Sequence, residues 1–526
     1  MRSDKRALPK RSSPFPHRIS GTIGAALIGI HLAASAANSL HETQAGQAVY
    51  DQHCAACHGI KGDGNGPAAV WLFPKPRNFS AGMFKIQSTP AGSLPTDDDL
   101  LQTVRRGMPG SSMPSFTYLS EQQRRDAVQY VKFLTAGTNG AGEWVNFFEK
   151  AKRENTVGAP VTVPPEPAVT LQRLTDGKAL FTRLQCVTCH GETGAGDGPS
   201  AATLKDSWGL PLPPRDFNRG AFRGGYTGHD LYLRIHNGLA GTPMPPFAEN
   251  VMTPDERWSL VLYIQSLRRK DIEVSEMLAP PDGSIHAHKI KTLPVDPTNP
   301  AWEQIDTFHI PVNPLWPDRD AIPAVAVKAV HDGRRVAILC QWRDAIVNGA
   351  PVRVQDFQDA VALQFSLNGT TPFLGMGDAQ NPVNIWQWKA GWQQEAEGQR
   401  QDVNTIYASM HVDFYFQTNA LYRTAEGAGN VTSQPHKSPV EDANARGFGT
   451  IRSQSMKSQN VQGKGIWRDG HWNVVFIREL KSRDADDVKL AVKKTAPVAF
   501  AIWDGENRDR NGRKLISNWY QLSIEP

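Results

Sequence analysis

The chain has 526 residues, enough for three domains, with 40% hydrophobic residues and 14 Trp, a composition that excludes wholesale disorder. Its net charge of +5 sits at one end: within residues 1–36, Arg2, Lys5, Arg6, Lys10, Arg11 and Arg18 face one acid, Asp4, and that excess of five is the whole net charge. A body of balanced charge gives no electrostatic case for nucleic-acid binding.

From the N-terminus, the basic start runs into an apolar segment, Ile19 to Ile30, and then into Ala33-Ala-Ser-Ala-Ala37. With Ala34-x-Ala36 at its end, this is the order of a secretory signal peptide over residues 1–36. It predicts export to the periplasm. Retention of the segment as an anchor is the alternative, and membrane contact follows only from it, because no later run reaches about 18 apolar residues.

Four of the five cysteines form two C-x-x-C-H motifs, Cys54-Ala-Ala-Cys57-His58 and Cys186-Val-Thr-Cys189-His190. This is the attachment signature of c-type haem. Two thiols three residues apart reach the vinyl groups on one porphyrin edge, and the next residue turns its imidazole under the iron. The motifs lie inside a longer duplication. Cys57-His-Gly-Ile-Lys-Gly-Asp-Gly-Asn-Gly-Pro67 matches Cys189-His-Gly-Glu-Thr-Gly-Ala-Gly-Asp-Gly-Pro199, and Pro76-Arg-Asn-Phe79 matches Pro214-Arg-Asp-Phe217. Gly107-Met-Pro-Gly-Ser-Ser-Met-Pro-Ser-Phe116 matches Gly238-Leu-Ala-Gly-Thr-Pro-Met-Pro-Pro-Phe247. Each copy closes on an amphipathic helix, near 120–134 and 253–267, with Ser120 and Thr253 as N-caps.

The repeat also selects a sixth iron ligand. Met113 and Met244 occupy the same place in the two copies, 55 and 54 positions after His58 and His190, whereas Met108 is replaced by Leu239. Met113 and Met244 are therefore the axial candidates, a His/Met pairing that raises the reduction potential, and Met108 reads as packing. Both copies resemble class I cytochromes c, over residues 43–137 and 172–270. The resemblance implies a small all-helical fold around each of two covalent c haems. Arg77 and Arg215, in the matched Pro-Arg motifs, are candidate partners of haem propionates, with a plain surface arginine as the alternative.

Residues 138–171 form a linker whose stretch 158–169 holds four prolines, an extended, semi-rigid spacer. A second linker, 271–299, carries His286 and His288, read as solvated. After Pro300 the pattern turns to short strands: 324–330 and 335–342 around His331-Asp-Gly-Arg, then 359–367, 465–477 with its own Asp-Gly, and 498–503. These argue for a β-sandwich, with Cys340 as a buried core thiol.

Trp342-Arg-Asp344, Phe373-Leu-Gly-Met-Gly377, Asn381-Pro-Val-Asn-Ile-Trp-Gln-Trp-Lys389 and Asp504-Gly-Glu-Asn-Arg-Asp-Arg-Asn-Gly-Arg-Lys514 resemble the haem-b-binding γ subunit of ethylbenzene dehydrogenase and of dimethyl sulfide dehydrogenase. The resemblance covers residues 300–526. It implies one non-covalent b haem held by Met376 and Lys514, with His309 and His411 as alternative ligands, and molybdopterin and iron–sulfur subunits as partners. On sequence alone Met376 reads as a core methionine, and Lys514, beside Arg510 and Arg513, as a solvated lysine. A lysine ligates iron only as the neutral amine, so burial must lower its pKa.

The expected architecture is multidomain: two all-α cytochrome c domains followed by an all-β sandwich haem-binding domain. The expected role is periplasmic electron transfer between an iron–sulfur subunit, through haem b, and respiratory or soluble redox proteins, through the c haems, with no catalytic residue on this chain. A dihaem oxidoreductase or peroxidase is one alternative. A dihaem cytochrome whose sandwich serves docking or ligand sensing is the other.

Overall fold

The computed structural model describes residues 44–526 apart from 139–141, 221, 270–282, 317–321, 408, 410–424 and 426–428. The segment read as a signal peptide and His411 lie outside the described residues. Among these residues no helix is long and apolar enough to cross a membrane.

The first module is built from α1 (residues 44–53), α2 (Ala55–His58), α3 (Asp97–Arg106) and α4 (Glu121–Leu134). A short hairpin of β1 (Ala136–Thr138) and β2 (Trp144–Asn146) follows, then α5 (Phe147–Arg153). The second module repeats the helical plan with α6 (Leu171–Arg183), α7 (Val187–His190), α8 (Gly228–Asn237) and α9 (Pro254–Ser266). Capping boxes start four of the repeat-matched helices, α3, α4, α8 and α9: Thr96 with Asp99, Ser120 with Gln123, Thr227 with Asp230, and Thr253 with Glu256, each satisfying otherwise unpaired N-terminal amides. The predicted caps Ser120 and Thr253 are among them.

In each module the first and last helices cross at a glycine. A Cβ on Gly46 would lie 2.3 Å from the Asp126 carbonyl oxygen, and one on Gly177 would lie 2.1 Å from that of Ser259. Only glycine permits this approach. Tyr50, Phe79, Leu100 and Val128 form the first core, and Phe181, Phe217, Leu231, Trp258 and Ile264 the second. Helix α9 is buried continuously from Arg257 to Ile264, whereas α4 buries one face. The proline-rich linker accounts for part of the difference, since Trp258 Nε1 donates to the Pro164 carbonyl at 3.2 Å. The linker also donates from Val161 N to the Ser88 carbonyl at 2.9 Å, so it lies against both modules. Directly between the modules, the Gln87 carbonyl accepts from Arg234 at 2.7 Å and from Asn237 at 3.1 Å, and Arg106 pairs with Asp230 at 3.6 Å.

The C-terminal part is sheet-rich. Its strands are β3 (Ser284–Lys289), β4 (Phe308–Pro311), β5 (Asn313–Pro314), β6 (Ala324–His331), β7 (Arg335–Arg343), β8 (Ala360–Ser366) and β9 (Val383–Lys389). Then come β10 (Val440–Ala445), β11 (Arg452–Ser453), β12 (Gln462–Arg468), β13 (His471–Glu479), β14 (Lys494–Trp503), β15 (Leu515–Ile516) and β16 (Tyr520–Ile524), with α10 (Ala390–Ala396) after β9. One hydrogen-bonded path runs β11-β10-β9-β8-β14-β16-β3-β6-β7-β13-β12. Only β16–β3 and β3–β6 are parallel. The path folds back on itself: Trp388 of β9 meets Trp472 of β13 at 4.8 Å and Trp342 of β7 at 6.2 Å, both edge-on, inside one apolar core. Cys340 is fully buried there.

The two histidines read as solvated residues of a connector are instead on β3. His288 bonds Glu525 at 2.7 Å and Asp306 at 3.1 Å, and His286 lies 3.2 Å from Glu525. The proline-rich composition around them masked a six-residue strand whose inward residues, Ile285 and Ala287, are buried. Beyond the cores, Gly110 N donates to Asn313 Oδ1 at 2.7 Å and Phe73 N to the Leu315 carbonyl at 3.0 Å. The first module is thereby attached to the sheet.

Candidate functional site

One helical turn carries both thiols and the imidazole of each C-x-x-C-H motif. The amides of Cys57 and His58 donate to the Cys54 carbonyl at 3.1 and 2.9 Å, and those of Cys189 and His190 to the Cys186 carbonyl at 3.3 and 2.9 Å. Each ring is then fixed from outside the motif. His58 Nδ1 bonds the Arg77 carbonyl at 2.9 Å and His190 Nδ1 the Arg215 carbonyl at 3.2 Å. Phe79 stacks on His58 at 4.6 Å, and Phe217 on His190 at 4.3 Å. An Nδ1–H donated to a carbonyl leaves the Nε2 lone pair for a metal. Burial lowers the His58 pKa to about 4, which keeps the imidazole neutral. Burial also pushes Cys54 and Cys57 up to about 12.

The Pro-Arg-Asn/Asp-Phe repeat thus contributes a carbonyl and an aromatic ring to the histidine. Sequence reasoning assigned only its arginine side chain, although the identical Phe79 and Phe217 were the available signal.

The two methionine loops share one construction. Met108 N donates to the Met113 carbonyl at 3.0 Å, and Leu239 N to that of Met244 at 3.2 Å. Phe116 N and Phe247 N return to the Val104 and Ile235 carbonyls at 3.1 and 3.0 Å. A repeat-matched arginine ties the end of each loop to the last helix. Arg124 donates to the carbonyls of Phe116, Thr117 and Leu119. Arg257, fully buried, donates to those of Phe247 and Met252 and to the Tyr232 hydroxyl. Neither arginine was singled out from the sequence, where each reads as one charged residue on a helix.

Cys54, Cys57, His58, Arg77 and Met113 line one cavity. Cys186, Cys189, His190, Arg215 and Met244 line a second. Met108 lines both, so it stands at the wall between them. The residues fit a covalent haem in each cavity. Two thiols and an imidazole face a methionine across a mainly apolar space, and Arg77 Nη1 and Arg223 Nε at its edge are buried without a hydrogen-bond partner, as awaits an anionic group.

In the sheet, Met376 has φ of +70°, and Gly377 follows at +75° with an added Cβ only 2.6 Å from the Asn381 carbonyl. A left-handed methionine costs about 1–2 kcal/mol, and such strain collects where a side chain must be aimed. Met376 packs against the cluster of Ala360, Ala499, Trp503 and Trp519. Lys514 Nζ lies 4.9 Å from the centroid of the Trp503 ring, and burial lowers its pKa to about 8, toward the neutral amine. The fold therefore brings Met376 and Lys514 to one aromatic cluster, and Lys514 is not the solvated lysine its neighbours suggest. His309 lines a different cavity, with Trp342, Arg343 and His471. The acids of the Trp342-Arg-Asp344 and Asp504 motifs gather with Asp359, their carboxylate oxygens within 4.8 Å. None of the three lines the haem-module cavities.

The first cavity does not end at its own module. Phe373, Leu374 and Gly375, immediately before Met376, line it together with Leu315, Phe448 and Ile516. Tyr118 of the first module packs on the Met376 cluster and bonds His53 at 3.4 Å.

Comparison with known proteins agrees with this division. Residues 43–135 and 174–268 match the family described as "Cytochrome c", and residues 299–515 the family described as "Ethylbenzene dehydrogenase". The chlorate reductase subunit gamma of Ideonella dechloratans is 29% identical over 236 residues, 43% of this chain and 78% of that protein. The dimethylsulfide dehydrogenase subunit gamma of Rhodovulum sulfidophilum is 25% identical over 255 residues, 44% of this chain and 76% of that protein. A solved structure from the Kuenenia stuttgartiensis reducing HAO-like protein complex Kustc0457/Kustc0458 is 39% identical, with a TM-score of 0.39, and covers 43% of this chain and 96% of its own.

Proposed function

We propose that this chain, an electron-transfer protein with two cytochrome c domains and one domain of the ethylbenzene dehydrogenase family, relays electrons between a b haem in the sheet and two c haems in the helical modules. When bound, the haems supply the one-electron redox chemistry. The chain's part is to hold, order and insulate them. Cys54, Cys57 and His58, with Met113, hold the first c haem, and Cys186, Cys189 and His190, with Met244, the second. Met376 and Lys514, brought to one aromatic cluster that includes Trp503, hold the b haem.

The observation that carries this reading is the continuity of the walls. Residues just before Met376 line the first module's cavity, and Met108, Lys85, Ile86 and Arg223 line both module cavities. The order of sites is therefore sheet, first module, second module. By analogy with the chlorate reductase and dimethylsulfide dehydrogenase subunits, the sheet end meets the iron–sulfur subunit of a molybdenum enzyme in the periplasm. The second module is then the end that meets soluble or respiratory redox proteins.

The test is a break in the middle. In the exported full chain, Cys54→Ala with Cys57→Ala leaves the b haem and the second c haem each reducible by dithionite, but slows their mutual equilibration after rapid mixing at least 100-fold. Equilibration at the unaltered rate contradicts the order.

A further inference from the structure

The contact between the two modules brings repeat-matched residues of both together, cations among them. Arg77 matches Arg215, Lys85 after Phe84 matches Arg223 after Phe222, and Gly110 matches Gly241 in the methionine loops. The arginines cross over. The Arg215 guanidinium fills the space beside Gly110 of the first module, where an added Cβ would lie 2.7 Å from Nη1 and Nη2. Arg77 in turn lies over the Trp208 ring of the second module at 4.7 Å, with Nη1 3.7 Å from an added Cβ on Gly241. Lys85 and Arg223 line both cavities at once. A contact in which each copy presents the same patch to the other is isologous, as in a two-fold dimer.

This gathers like charges out of water. Burial lowers Arg77 to about 10, Lys85 to about 8 and Arg215 to about 9, and the charges of Arg77 and Arg223 lower Lys85 further. The acids that act on the group are Asp206, on Arg77 and Lys85, and Asp216, on Arg215. Buried charges persist where a partner neutralises them. Arg77 Nη1 and Arg223 Nε still have no hydrogen-bond partner. Each c haem carries two carboxylates on the edge opposite its thioether bonds, so two haems bring four anions to four cations.

We propose that Arg77, Lys85, Arg215 and Arg223 form one anion site, shared across the module contact, that holds the propionates of both c haems and ties their reduction potentials together. The proposal rests on both c haems being attached and goes beyond it. The four residues position the haems, and each contributes positive charge to both irons. A cation near a haem favours the reduced form, which carries one positive charge less. Removing any one of the four lowers both potentials.

The experiment is a spectroelectrochemical titration of the exported full chain, followed in the c-haem absorption bands, for Lys85→Met and Arg223→Met, one substitution in each module. A shared site predicts that each substitution shifts both c-haem steps downward, while Lys85→Arg and Arg223→Lys restore them. Two private sites predict that Lys85→Met moves one step only and Arg223→Met the other, and that result overturns the proposal while leaving the haem count intact. Loss of covalent haem from the unaltered chain would instead refute the functional reading beneath it. Should either Met variant not fold, infrared difference spectra of the unaltered chain decide. Propionate carboxylate bands that respond in both reduction steps support the shared site, and separate bands for each step exclude it.

Discussion

In the proposed reading the helical modules and the sheet solve one problem, holding a porphyrin, at different distances along the chain. In each module the thiols and the histidine occupy a single helical turn, and the methionine returns on a loop tied by Arg124 or Arg257. In the sheet, Met376 and Lys514 belong to loops far apart in sequence and reach one aromatic cluster only because β8, β14 and β15 are hydrogen-bonded neighbours. The difference teaches where evidence for a cofactor resides: in spacing for the modules, in tertiary assembly for the sheet.

The sharpest break is covalent. Cys186→Ala with Cys189→Ala should leave one haem attached after denaturation where the parent keeps two, as counted by haem stain and intact mass. Next in size is loss of the b haem. Lys514→Ala should shed it or convert it to a five-coordinate, high-spin form, and His309→Ala should not. Met376→Gly separates ligand from fold. It removes the thioether yet relieves the left-handed strain, so haem is lost while stability of the haem-free protein holds or rises by about 1 kcal/mol. A fall in that stability would make Met376 a packing residue.

A smaller effect distinguishes the methionines. Met113→Ala and Met244→Ala should each remove one thioether-to-iron band and lower that haem's potential, whereas Met108→Leu should spare both bands. The reverse pattern would exchange their roles. Smaller again is a change in stability alone. Arg257→Ala deletes four hydrogen bonds behind the Met244 loop, to Phe247, Met252 and Tyr232, and should cost about 2–4 kcal/mol by denaturant unfolding. Arg124→Ala, on a more exposed helix, should cost less.

The repeat makes the modules legible in the sequence. It gave the helices at 120–134 and 253–267, their caps, and a choice between Met108 and Met113 that no single copy could offer. It also contained what was overlooked. Phe79 and Phe217, Lys85 and Arg223, and Arg124 and Arg257 are all repeat-matched, but their roles depend on which surfaces meet, and spacing does not carry that. The strands from 324 onward were readable from alternation and Asp-Gly turns. Strand β3 was not, because its flanking prolines and two histidines imitate a linker. Lys514 was misread for a related reason. The residues before it, Arg510 to Arg513, are exposed, while its own side-chain nitrogen lies over Trp503, a neighbour only in space.

The smallest expected effect tests that strand. Burial lowers the His288 pKa, but the hydrogen bonds to Glu525 and Asp306 outweigh it, and the net shift is upward. A raised folded-state pKa means the protonated pair stabilises fully below the unfolded value of about 6.5 and is lost as pH rises through the folded value. Being part-exposed, the pair is worth under about 1 kcal/mol. The stability difference between the parent and His288→Gln should therefore shrink on going from pH 5.5 to 8.5. A difference that grows would contradict the pairing.

The central claim is that two local sites and one assembled site hold three haems on one chain. A pyridine haemochrome spectrum of the exported, purified protein, taken before and after acid–acetone extraction, tests it most directly. The account predicts two c haems that stay with the protein and one b haem that leaves. Two c haems with no extractable b haem would contradict it, and would leave the strained Met376 and the half-buried Lys514 without a cofactor to hold.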